Sequence, residues 1–249
     1  MEIISSTSNA LVKRINKLKI KKYRDEYGEF FAEGYKNVLD SIAARRDLLK
    51  SVVLSERAYS EFGKDFLECP TTVVADHVYE KITDTDGAQG VLAVFDKPKN
   101  GAPSGENAEK LVLLDRVRDP GNVGTILRTC CAFGYGAVLN GCCDPFSPKA
   151  VRSAMSASLK CDIYIDVDID ALISGGYTLI AADMSGERLD VAKKPSGKFC
   201  IAVGNEADGI SDEVMEKCAR TVRIPQKNIE SLNASVAAAV IMYAFGASE

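Results

Sequence analysis

Histidine is almost missing from this chain: His77 is the only one among 249 residues. Zinc sites draw on histidine and cysteine at short, fixed spacings. The eight cysteines show no such spacing. They fall as two adjacent pairs, Cys130–Cys131 and Cys142–Cys143, and four scattered singles, with no C-x-x-C. No metal site is expected, and a disulfide scaffold is disfavoured. The thiols read as small apolar core residues of a reducing compartment. No apolar run approaches the ~20 residues of a membrane span. The N-terminus, MEIISSTSNALVKRINKLK, has an acid after its first methionine and no uninterrupted apolar region. It is no signal peptide, and a cytoplasmic protein without membrane contact is expected. A G-x-G-x-x-G dinucleotide fingerprint is also lacking. Its nearest approach, Gly134-Tyr135-Gly136, follows an expected helix and reads as a helix stop.

Hydrophobic residues make up 46% of the chain, enough for two domains that each bury a core. The net charge is −4, which does not favour a nucleic acid partner at first sight. Its distribution matters more than its sum. Lys13, Arg14, Lys17, Lys19, Lys21, Lys22 and Arg24 follow one another with no acid among them. Such a run can meet phosphates, although on a helix it is more often a solvated face.

The segment DKPKNGAPSGEN has two prolines, two glycines and almost nothing apolar, and reads as a linker. The expected organisation is a first domain over 1–95, a linker over 96–109 and a second domain over 110–249. In the first, helices are expected over 9–22, 35–46 and 56–66, with strands over 51–55, 72–74 and 90–95. In the second, apolar strands over 111–114, 137–139, 163–167, 178–182 and 199–203 alternate with helices. Short buried strands separated by helices imply an α/β fold with a largely parallel sheet.

Three motifs of the second half carry candidate chemistry. In the first, LLDRVRDPGNVGTILRTCCAFG, a buried strand ends in a polar loop and a helix begins, with Asn122 as its expected N-cap and Arg128 six residues on. Ligands of α/β sheets bind at such carboxyl ends of strands. In the second, FCIAVGNEADGI, a strand runs into Gly204, Asn205 and Glu206, then Gly209; glycine lets backbone approach a ligand. In the third, VRIPQKNIESLNASVAAAVIM, a short strand meets Pro225 and a polar loop, and Ser231 or Asn233 caps a helix slimmed by Ala234, Ala237 and Ala238. Each motif alone is also explained by a capped helix or a tight turn.

Together, in this order, they resemble the SpoU (TrmH-type) branch of the SPOUT RNA methyltransferases, through DPGNVGTILRT, GNEADG and IPQKNIESLNASVA. Upstream, KNVLD after FFAEG and GAQGVLAVF look like the small RNA-binding domain often fused ahead of that catalytic fold. One departure stands out: family members tend to carry a glycine in the segment here read as SAMSAS, 153–158. The resemblance implies a small N-terminal α/β domain and a C-terminal SPOUT domain with a deep trefoil knot. It implies S-adenosylmethionine as cofactor, lined by Gly204, Ile224 and Leu232, and a homodimer that draws the first-motif arginine into the partner's pocket. The implied reaction methylates a ribose 2′-hydroxyl of structured RNA, with ribosomal RNA favoured over transfer RNA. The chemistry needs a proton acceptor and a charge that favours the alkoxide. With no histidine in the motifs, Glu206 is the candidate acceptor and Arg128 the charge, with Asn122 orienting groups beside them. A guanidinium stays protonated in proteins, so Arg128 is a poor base. Asn233, Ser231, Lys13 and Arg14 are the candidate substrate contacts. Two rivals remain: a non-catalytic RNA-binding or ribosome-assembly protein on the same fold, and a nucleotide-dependent oxidoreductase, which would need the missing fingerprint.

Overall fold

The computed structural model describes residues 3–103, 108–189, 192–229 and 231–246. Residues 104–107 of the expected linker lie outside them. The elements run β1 (Ile3–Ile4), α1 (Ala10–Lys17), α2 (Lys21–Tyr27), β2 (Glu29–Glu33), α3 (Tyr35–Ala44), β3 (Leu49–Ser55), α4 (Glu56–Phe62), β4 (Thr71–Val74), α5 (Asp76–Ile82) and β5 (Val91–Asp96). There follow β6 (Lys110–Asp115), α6 (Pro120–Phe133), β7 (Gly136–Asn140), α7 (Pro148–Ala154), α8 (Ala157–Lys160), β8 (Ile163–Ile165) and α9 (Ile169–Ser174). The chain ends with β9 (Thr178–Arg188), β10 (Phe199–Val203), α10 (Asp212–Glu216), β11 (Arg220–Arg223) and α11 (Ala234–Gly246). By packing, it divides into one unit of Met1–Lys99 with Asp144–Lys160, and a second of Asn100–Cys143 with Cys161–Glu249. The segment 144–160, which a single break at 96–109 leaves in the second half, therefore belongs to the first unit.

The first unit is built on a mixed sheet in the order β1-β4-β3-β5-β2, parallel from β1 to β3 and antiparallel at β3/β5 and β5/β2. Every residue of β2 is buried, its two acids included. Glu29 accepts both arms of the Arg14 guanidinium at 2.9 and 2.8 Å. Glu33 accepts from Asp84 N and Thr85 Oγ1 at 2.9 and 3.0 Å. Buried carboxylates are tolerated only when paired in this way. The helix expected over 9–22 breaks after Lys17, because Leu18 turns into the core and its carbonyl accepts from Arg24 Nη1 at 2.7 Å.

The second unit has a six-stranded, wholly parallel sheet in the order β11-β9-β10-β6-β7-β8. The central strands β6 and β10, each followed in sequence by a helix, are apolar and buried on both faces, as parallel strands require. The N-cap of α6 is Asp119, whose carboxylate accepts from Asn122 N at 3.0 Å. Asn122 lies inside the first turn, so its carboxamide is released for other partners. Gly134, at φ +68°, ends the helix. At α11, Asn233 Oδ1 accepts from Ser235 N and Ser235 Oγ at 2.9 and 2.6 Å and fixes the helix start. That helix packs along α6, where Cys130 Sγ lies 3.8 Å from Met242 Sδ. In the segment where a glycine is usual for the resembled family, Met155 stands at φ +55°, ψ −145°, a conformation that a side chain disfavours. Of the eight free cysteines, Cys130 and Cys200 are fully buried and the others half-buried.

Candidate active site

Parallel strands all end on one edge of the sheet, and three such ends meet in the second unit. Asp115, fully buried at the end of β6, joins them. Its carboxylate accepts from Asn140 Nδ2 at the end of β7, 2.8 Å, and from Ser211 N in the loop after β10, 2.7 Å. The Arg116 guanidinium lies beside it, Nε 3.4 Å from Oδ2. The sequence reading passed over Asp115; an acid closing an otherwise apolar strand is the signal that marks it.

The loop after β10 is drawn tight. Asn205 N donates to Gly209 O and Gly209 N to Asn205 O, at 3.2 and 3.1 Å, while Asn205 Oδ1 accepts from Ala207 N and Asp208 N. Gly204 is needed there for close approach rather than for a special dihedral. A Cβ on it would lie 2.0 Å from Gly209 C. Gly186 has the same role in β9, where a Cβ would lie 2.5 Å from Thr221 C. Between residues 181 and 187 of β9 the pairing with β11 slips, and Asp183 and Met184, inside the slip, line the adjoining cleft.

These loops enclose a cleft of about 430 Å³, within the usual size range of small-molecule sites. Its lining includes the apolar residues Ile224, Leu232, Ala234, Ala237 and Ile241. It also includes the carboxylates of Asp183, Glu206 and Asp208, the cation Arg223, and Gly204. The three residues expected to line a cofactor pocket, Gly204, Ile224 and Leu232, all line this cleft, as do Glu206 and Ser231. Gln226, which the sequence reading did not single out, also faces it; its Oε1 is buried and has no hydrogen-bond partner among the described residues. A wall that mixes apolar surface with an unmatched acceptor and several carboxylates suits a ligand carrying an aromatic ring, hydroxyls and an ammonium group. Among the described residues, no group of three or more metal-ligating side chains could hold a metal ion.

Asn122, Glu206 and Asn233, one from each motif, come together. Asn233 Nδ2 donates to Asn122 Oδ1 at 3.0 Å, and Asn122 Nδ2 donates in a very short contact to Glu206 Oε1. Ser235 Oγ extends the chain of hydrogen bonds beyond Asn233. Arg128 stands apart. It is exposed on α6, does not line the cleft, and makes no hydrogen bond or ion pair among the described residues. Of the expected substrate contacts in the first unit, Lys13 is exposed and free of such partners, whereas Arg14 is held by Glu29 and lies 4.4 Å over the Tyr27 ring.

Residues 109–243 match the SpoU rRNA methylase family, and residues 9–93 match an MRM3-like substrate-binding domain. The chain is 28% identical to the 23S rRNA (guanosine(2553)-2′-O)-methyltransferase RlmP of Bacillus subtilis, over 98% of each chain. It is 30% identical to the mitochondrial rRNA methyltransferase 3 of Xenopus tropicalis, over 82% of this chain and 54% of that one. The structure of an AdoMet-bound rRNA methyltransferase from Sinorhizobium meliloti superposes with a TM-score of 0.83 at 28% identity, covering 98% of this chain and 96% of that one.

Proposed function

Because the chain belongs to the SpoU rRNA methylase family, we propose that it methylates a ribose 2′-hydroxyl of ribosomal RNA with S-adenosylmethionine as donor. The observation that carries this reading is the hydrogen-bonded series Asn233–Asn122–Glu206, which joins all three motifs and ends at the cleft. When bound, the cofactor supplies a methyl group already activated on a sulfonium. Gly204, Ile224 and Leu232 hold it. What remains for the protein is to align the ribose oxygen and take its proton.

Glu206 is the proton acceptor. Its carboxylate is oriented by Asn122, and Asn122 by Asn233, so the acceptor is preorganised rather than freely rotating. Arg128 pairs with the target phosphate or the developing alkoxide. As it does not line its own chain's cleft, it acts in a homodimer, reaching the site of the partner. Val236, Val240 and Tyr243 support that assembly: they form an apolar stripe at i, i+4 and i+7 of α11, 47%, 38% and 63% exposed. The deep trefoil knot belongs to the same proposal; the close backbone crossings at Gly186 and Gly204 are of the kind that a threaded chain needs.

The N-terminal residues 1–95 hold the RNA through Lys13 and its neighbours, with Ser231 and Asn233 contacting the target nucleotide. The domain division of 1–95, 96–109 and 110–249 is retained as a functional one. Among the described residues no helix is long and apolar enough to cross a membrane, and a cytoplasmic site of action, where ribosomal RNA is met, completes the reading. The test is to incubate the protein with labelled S-adenosylmethionine and total RNA from cells lacking it, then map alkali-resistant linkages. Label at one 2′-oxygen of ribosomal RNA is expected. Label on a base, or none, refutes the proposal; the non-catalytic reading predicts none.

A further inference from the structure

We propose that Gln226 is the residue by which this protein recognises the adenine of its cofactor: its carboxamide receives the 6-amino group. The inference rests on the cofactor reading above and adds a specificity-determining residue to it. Gln226 follows Ile224 and Pro225 in the loop after β11 and lines the cleft. Its Oε1 is buried, yet no donor meets it among the described residues. Buried amide oxygens are almost always partnered, and an orphan at a ligand site is a place kept for a ligand's donor.

The composition of the walls selects which donor. On the same stretch of chain as Gln226, from β11 into α11, Ile224, Leu232, Ala234, Ala237 and Ile241 also line the cleft and supply apolar surface with slim alanines, fit for a flat ring. The carboxylates lie elsewhere, on the exits of β9 and β10, where an ammonium or ribose hydroxyls would be held. The donor brought to Gln226 is therefore the one on the ring edge. A carboxamide matches adenine in both senses, accepting from the 6-amino group while its own NH₂ donates to the adjacent ring nitrogen. On the edge that carries N7, hypoxanthine presents only acceptors, O6 and N7, so the carboxamide oxygen is set against one of them whichever way the amide is turned.

The experiment is calorimetric and needs no turnover. Binding of S-adenosylhomocysteine and of S-inosylhomocysteine is measured for the full-length wild type and for Gln226→Met, a change of similar volume that removes the polar edge. The wild type is expected to prefer the adenosyl ligand by about tenfold or more. In Gln226→Met the adenosyl affinity should fall by a similar factor and the inosyl affinity should hold, so that the preference disappears. Thermal melting without ligand checks that the variant folds. A wild type that binds both ligands equally, or a variant that keeps the preference or weakens both alike, overturns the assignment while leaving the cofactor reading intact. A folded wild type that binds neither ligand overturns both.

Discussion

Replacing Gly204 by alanine tests the cleft at its tightest point. The new Cβ would stand 2.0 Å from Gly209 C, 2.2 Å from Gly209 O and 2.3 Å from Ile210 N, all backbone atoms. Carbon contacts settle near 3.5 Å, so the two segments would have to part by about 1.5 Å. Little can yield there. The reciprocal bonds between Asn205 and Gly209 close the loop, and Ser211 N is anchored 2.7 Å from the buried Asp115. Overpacking costs about 1–3 kcal/mol, and loss of the two loop bonds adds about 1 kcal/mol each. A penalty of about 3–5 kcal/mol lowers the melting temperature by at least about 6 °C in a chain of this size. S-adenosylmethionine affinity should fall with it, because Gly204 lines the cleft. Gly101→Ala is the control, since a Cβ there meets nothing within 4 Å. Scanning fluorimetry and calorimetry read both effects. A Gly204→Ala protein that melts within a degree of wild type and binds the cofactor normally would refute the close-approach argument.

Other outcomes follow from the same structure. Arg128→Lys keeps the charge but loses the planar fork, so single-turnover methylation should slow by about 10²–10³-fold with cofactor affinity unchanged; an unaltered rate removes Arg128 from the catalytic set. Met155→Gly relieves the φ of +55° and should stabilise by about 1 kcal/mol after the entropy of glycine is counted; a lower melting temperature contradicts the strain. Burial pushes the Cys142 thiol up to about 12 and the Cys200 thiol up as well. Unfolded thiols ionise near pH 8.5, so above that pH the unfolded chain sheds protons that the native one keeps. Stability should then fall by up to about 1.4 kcal/mol per pH unit for each thiol. Urea midpoints at pH 8 and 10 should show this slope, reduced in Cys142→Ala with Cys200→Ala; identical slopes would contradict it.

The parallel sheet of the second unit was legible because both faces of its central strands are buried, which leaves uninterrupted apolar runs such as KLVLL and FCIAV. Strand β2 escaped the same reading. Its sequence, EFFAE, begins and ends in acids, and only the distant Arg14, Asp84 and Thr85 make them acceptable inside. Motif order brought Asn122, Glu206 and Asn233 to one place, but not the reason that Asn122 is available. Both Asp119 and Asn122 are good caps, and only the structure shows that Asp119 takes that role and leaves the Asn122 carboxamide to Glu206. Asp115 and Gln226 act through partners far away in sequence, or through the want of one; locally Asp115 shows only as an acid closing an apolar strand, and Gln226 leaves no such mark.

The basic run shows where composition misleads, and Arg24→Ala tests it. Read along the sequence, Arg24 belongs with Lys13 and Lys22 as a phosphate contact. In the structure its side chain is 4% exposed and pairs with Asp144, itself 7% exposed, at 2.7 Å, while Nη1 holds the Leu18 carbonyl. Lys21 is likewise tied to Asp25, and Lys19 to the carbonyls of Lys81 and Thr83. Only part of the run is left to face RNA. Removing Arg24 leaves a buried carboxylate without its partner, a loss of about 3–5 kcal/mol. It also frees the carbonyl that lets the helix break at Leu18. The variant should therefore melt far below wild type, whereas Lys13→Ala, at an exposed position, should melt normally and bind RNA more weakly, with a shallower dependence on salt. The two variants separate a structural arginine from a recognising lysine. An Arg24→Ala protein of native stability whose only defect is in RNA binding would reverse that division.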